Sequence, residues 1–159
     1  MRFLWLAAVA VVVCGCVAAA AKQVKMEYRE LKSGAYAASS SPAPQVVMAT
    51  DGDAYDRIWN VLIGGGTPPP VDFSHETAVF LLDRQHPTGG YTLEPRRAAI
   101  ENGMATLTVV AHAPKSGSMT AQVLTTPFSV VAVRATGIVA ARWVDESSGA
   151  VVAETAKKR

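Results

Sequence analysis

The run Thr77-Ala78-Val79-Phe80-Leu81-Leu82 is apolar on both faces of an extended chain, as in a central β-strand. The residues around it are patterned for β structure too. Val24-Lys25-Met26-Glu27-Tyr28-Arg29 alternates apolar and charged residues with period two, which predicts one strand with a wet face. Lys32 to Pro44 reads as a loop, and Gln45 to Ala49 as a short strand. Thr50 with Asp53 three residues on predicts a helix start, and Tyr55, Ile58, Trp59 and Leu62 then share one helical face. Gly64-Gly65-Gly66 and Pro68-Pro69-Pro70 end that helix, placing it over about 51–63. Glu101-Asn102-Gly103 predicts a hairpin turn of type I′, because Asn-Gly supplies the two positive φ values that turn needs. Beyond it Leu107, Val109 and Ala111 are expected to face a core. Phe128 to Val133 and Ile138 to Val144 are two more strands, and Gly149 to Ala153 a last edge strand. Seven or eight short strands with one amphipathic helix define a mainly β domain, either a β-sandwich or a partly open barrel.

Composition narrows the function classes. Half of the 159 residues are hydrophobic and 18% are charged, too apolar for a disordered chain. Fifteen Lys and Arg against 13 Asp and Glu leave a net charge of +2, which gives no field for gathering nucleic acid. The two cysteines, Cys14 and Cys16, both lie in the first 16 residues. That stretch has Arg2 and then an uninterrupted apolar run from Phe3 to Val13, the layout of a secretory signal. Val13-Cys14-Gly15-Cys16 resembles a bacterial lipoprotein box. The resulting division is a lipoprotein-type signal peptide over 1–15, lipidation at Cys16, a tether over 16–23, one domain over 24–153 and a charged tail over 154–159. It implies an exported, lipid-anchored protein of the bacterial cell envelope, facing the periplasm or the exterior.

Catalytic and metal chemistry find little support. His75 beside Glu76, with Asp83 and His86 beyond the strand, fits no zinc spacing, so these histidines read as solvated loop residues. Asp72, Ser74 and His75 are triad-type residues, yet such near neighbours are not expected to meet as a triad. There is no G-x-S-x-G elbow, phosphate loop or dinucleotide fingerprint, so neither an enzyme nor a cofactor is expected. Trp59 and Trp143 read as core anchors.

The candidate site is His86-Pro87-Thr88-Gly89-Gly90-Tyr91, between two strand-like runs. Pro87 fixes φ and Gly89-Gly90 permits positive φ, so the loop has a defined shape. Tyr91 offers a packing ring and a hydroxyl. The loop is either a structural turn or a recognition loop on a rigid scaffold, with the Gly-, Ser- and Lys-containing stretch Ala113 to Ala121 beside it. Contact through such a loop rests on main-chain hydrogen bonds and shape, with little dependence on salt.

Val71-Asp72-Phe73-Ser74, T-G-G-Y at 88–91 and Thr125-Thr126-Pro127-Phe128-Ser129-Val130-Val131 together resemble the C-terminal domain of the PrcB family, over about residues 24–145. The helix bearing Trp59 resembles one that often precedes that domain. The family is named for a lipoprotein that stabilises a secreted protease complex, so the resemblance implies a non-catalytic domain with a protein partner, a protease or protease complex. Locally, H-P-T-G-G-Y is similar to the N-P-T-T-G-Y loop of chagasin-type inhibitors of papain-like peptidases. The functions this leaves are a partner-binding envelope lipoprotein, an inhibitor of secreted papain-like peptidases, and a structural or assembly lipoprotein. No nucleic acid and no small-molecule substrate is expected.

Overall fold

The computed structural model describes residues 24–156; the signal segment, Cys16 and the tether lie outside the described residues, as do residues 157–159. Nine strands form two sheets. One has five strands, β1 (Val24–Met26), β5 (Thr92–Glu101), β6 (Met104–His112), β8 (Ala140–Asp145) and β9 (Val151–Ala156), in that spatial order. The other has four, in the order β2 (Tyr28–Gly34), β7 (Phe128–Val133), β4 (Thr77–Leu82) and β3 (Gln45–Ala49). All pairings are antiparallel except β6 with β8, which run parallel. The mainly β architecture is therefore as expected, in its two-sheet form.

Alternation along β4 explains its apolar character on both faces. Val79 and Leu81 enter a core between the sheets with Leu107, Val109, Val131, Val133 and Trp143. Ala78, Phe80 and Leu82 point the other way, into a second core beneath the helix α1 (Gly52–Leu62), with Tyr55, Trp59, Leu62, Phe128 and Val130. Tyr55 packs against Trp59, Phe73 and Phe80 at 5.6–5.8 Å between ring centroids. Trp59 and Trp143 are both anchors of these cores.

Several boundaries differ from the sequence reading, each for an identifiable reason. The single strand expected over 24–29 is two strands in different sheets: β1 pairs with β5 and β2 pairs with β7, the chain crossing at Glu27. Met26 and Tyr28 both still pack on the inter-sheet core, because period two reports which side faces inward and not which strand is the neighbour. β2 also continues to Gly34, inside the expected loop. The helix is capped by Asp51, whose Oδ1 accepts from Ala54 N at 2.8 Å, and not by Thr50. Ala111 is exposed: β8 accompanies β6 only to Val109, so the end of β6 has β5 alone beside it. The expected strand from Ile138 begins at Ala140, though Ile138 is buried in the core. β9 runs to Ala156, three residues into the expected tail.

The predicted hairpin is present, with Asn102 at φ 50° and Gly103 at φ 77°. Pro95, buried within β5, is accommodated by a bulge at Arg96, and its carbonyl accepts from the Tyr28 hydroxyl at 2.7 Å.

Candidate functional site: three loops at one end of the sandwich

The register Gly34–Phe128–Leu82–Gln45 marks one end of the four-stranded sheet. Three connections gather there, residues 35–44, 83–91 and 113–127, and backbone hydrogen bonds lock them together. Asp83 N donates to Pro127 O at 2.8 Å and Gln85 N to Ser41 O at 2.9 Å. His86 and Thr125 exchange both main-chain bonds, at 2.7 and 3.0 Å, and Gly89 N donates to Ala121 O at 2.9 Å. The Thr125 hydroxyl donates to Thr88 O at 2.8 Å. Tyr36 bridges Thr126 from the other side.

His86 is not the solvated loop residue expected from its sequence context. It is in fact buried, with 7% of its surface exposed. Its Nε2 lies 2.8 Å from Asp83 Oδ2, and its ring stacks on Tyr91 with centroids 3.8 Å apart. The burial arises because residues 113–127 close over the loop, a long-range contact that no local pattern announces. The six predicted binding residues therefore divide. Pro87 and Gly90 are exposed and Thr88 and Tyr91 half-buried, whereas His86 and Gly89 lie beneath the surface. Gly90 adopts φ 91°, and a β-carbon there would stand 3.0 Å from Pro114 Cβ. The glycine thus allows both the turn and the close approach of the neighbouring loop.

Sequence reasoning missed the apolar surface around this loop. Tyr36 (61% exposed), Met119 (99%), Val123 (40%) and Leu124 (61%) are four of the seven exposed large apolar side chains among the described residues. The available signal was their position: large apolar residues inside loops that are otherwise small and polar.

The other triad-type residues lie at the opposite end of β4. His75 and Glu76 precede that strand and Asp83 and His86 follow it, so the four do not converge. Asp72, Ser74 and His75, not expected to meet, do so. Ser74 Oγ is 2.5 Å from Asp72 Oδ1 and 2.8 Å from His75 Nδ1, which is 2.9 Å from Asp72 Oδ2. These hydrogen bonds, the one from Ser74 foremost, pull the Asp72 carboxyl down to about 2. Serine and aspartate both address the same ring nitrogen, so the imidazole does not stand between them as a proton relay requires. The cluster borders an open cleft of about 460 Å³ lined also by Tyr28, Arg29, Glu76 and Arg134. There Glu76 takes a two-pronged bond from Arg29 at 2.9 and 3.0 Å, which lowers its carboxyl pKa. Among the described residues no group of three or more His, Cys, Asp or Glu side chains is placed to hold a metal.

Fold and site together define a two-sheet β domain that presents three interlocked loops at one end. Residues 77–134 match the family model described as PrcB C-terminal, which places the resemblance on β4 through β7 and on two of the three loops. The Val71-Asp72-Phe73 run and the helix lie before the matched stretch. No curated protein and no solved structure matches the chain.

Proposed function

We propose that this is a non-catalytic domain of an exported lipoprotein that binds a protein partner at the three-loop end. The observation that carries the reading is the combination of a rigidly held loop, 86–91, with exposed apolar side chains on both loops beside it. A surface fixed before contact loses little ordering entropy on binding. Exposed apolar groups gathered on adjoining loops otherwise carry only a solvation penalty. The resemblance to the PrcB C-terminal family suggests a protease, or a complex containing one, as the partner class.

The experiment is a pull-down from the source envelope with wild-type protein and with Thr88→Asp, each shown to be folded by its melting curve. Thr88 is half-buried on the loop face, and an unpaired charge at a contact weakens it by several kcal/mol. Loss of the retained protein in the variant is the expected result, and unchanged retention overturns the reading. A panel of papain-like peptidases, assayed for inhibition with the same pair, separates the inhibitor from the binding module.

A further inference from the structure

We infer that the three-loop end is built to take a partner segment that is both apolar and acidic. This rests on the partner-binding reading above and names the chemistry of what is bound. The apolar half of the inference comes from Tyr36, Met119, Val123 and Leu124, which stand in solvent on two of the loops. Tyr36 and Leu124 adjoin the loop 83–91 through the Tyr36–Thr126 and His86–Thr125 bridges, and Pro87 on that loop is also exposed.

The acidic half comes from the charges. Across residues 35–44, 83–91 and 113–127 there are three charged side chains, Asp83, Arg84 and Lys115. Asp83 is turned inward onto His86 and its side chain is 13% exposed. Arg84 and Lys115 are exposed, and among the described residues neither makes an ion pair. The next acid along the chain from the loop 83–91, Glu94, is engaged by His112 at 2.9 Å and Arg96 at 3.0 Å. Among the described residues, the three loops therefore carry two exposed, unpaired cations and no unpaired carboxylate. Charges of this kind steer encounter and reject a basic partner. They also add a salt dependence that the loop 86–91 alone was not expected to have.

The probe is a random-peptide library displayed on phage, panned against the full chain in detergent. Enriched peptides are then synthesised and titrated at low and high salt. The expected set pairs Asp or Glu with Leu, Phe or other large apolar residues. Its members should bind at least about tenfold more weakly to Arg84→Glu/Lys115→Glu, and likewise to Met119→Ser/Leu124→Ser. All four positions are exposed, so the variants should melt like the wild type. Enrichment of basic or uncharged peptides overturns the inference, as does acidic-peptide affinity that ignores the charge reversal. If Thr88→Asp abolishes binding while the charge reversal does not, the loop reading stands and the acidic chemistry falls. If neither change affects a selected peptide, both fall.

Discussion

The imidazole of His86 lies nearly flat on the phenol ring of Tyr91, with centroids 3.8 Å apart and planes 14° from parallel. Residues five apart thus clamp the two ends of the loop 86–91, and Asp83 holds the imidazole from its edge. Stacked rings contribute about 1 kcal/mol beyond the area they bury. Tyr91→Ala should therefore lower unfolding stability by about 1–2 kcal/mol, read as a shift in urea midpoint at constant slope. His86→Phe keeps the stack but leaves Asp83 Oδ2 without its partner while Oδ1 still accepts from Arg84 N, so it should also destabilise. A variant as stable as wild type would show that the Asp83 bond is immaterial.

Gly89 and Gly90 should respond differently to substitution, although they are adjacent. At Gly90 a side chain meets both the left-handed φ of 91° and Pro114 at 3.0 Å. Gly90→Val should cost about 1–3 kcal/mol from strain, and more if Pro114 cannot retreat. At Gly89 the nearest atom to a new β-carbon is Ala121 Cβ at 3.6 Å, an ordinary contact, and φ lies outside the left-handed region. Gly89→Ala should stay within about 1 kcal/mol of wild type. Equal melting temperatures for Gly90→Val and wild type would contradict this account of the loop.

These two glycines show where the sequence was legible. Asn102-Gly103 dictates its own turn, and Thr77 to Leu82 announces burial on both faces, because each signal is carried by the residues themselves. The crossing at Glu27 was not legible, since the neighbours of β1 and β2 lie about 70 to 105 residues away along the chain. The same holds for the site. Pro87 to Gly90 could be read as a shaped projection, but the burial of His86 depends on Thr125 and the surface beside it on Tyr36, Met119 and Leu124. Those loops meet only after the two sheets have formed.

Acid should weaken the fold through carboxylates fixed by local hydrogen bonds. Asp145 Oδ1 accepts from Ser147 Oγ at 2.6 Å, Ser148 N at 2.9 Å and Ser148 Oγ at 2.8 Å, at the turn between β8 and β9. These bonds, led by that of Ser147, hold its carboxyl at about 2, as the Ser74 and His75 bonds hold Asp72. A depressed folded-state pKa means that the stabilisation is complete above the ordinary aspartate range. It is lost as pH falls through the folded value. Stability should therefore decline between about pH 4 and pH 2, and the decline should be shallower in Asp145→Asn. Urea midpoints taken across that range decide it; parallel curves would mean the turn does not titrate in this window.

Ser74 should be chemically inert, consistent with the proposed non-catalytic role. Its hydroxyl is placed to donate to Asp72, and His75 meets both residues through Nδ1 alone. A serine activated by a base needs that base's other nitrogen oriented by the acid, which this arrangement does not provide. A fluorophosphonate probe should leave the intact protein's mass unchanged. Labelling that disappears in Ser74→Ala would show an activated nucleophile and displace the non-catalytic reading.

Val24 pairs with Ile100, near the hairpin end of β5, whereas the loop 83–91 joins β5 at Thr92. At about 3.3 Å per residue, the entry of the chain into the domain and the three-loop end are separated by about 25 Å of strand. The described chain thus enters the domain at the end away from the three loops, and we propose that an acyl anchor at Cys16 leaves those loops free to meet a partner. Stable anchoring requires more than one acyl chain, as a fully modified lipoprotein cysteine provides. Cys16→Ser should yield a soluble form or an uncleaved precursor, seen by fractionation and intact mass. In a Met119→Cys variant that retains Cys16, a biotin-maleimide label at position 119 should be captured by streptavidin while the protein remains membrane-bound. Unchanged membrane retention and mass in Cys16→Ser would rule out lipidation there. A Met119 label that streptavidin reaches only after detergent release would mean that the three-loop end is covered in the anchored protein.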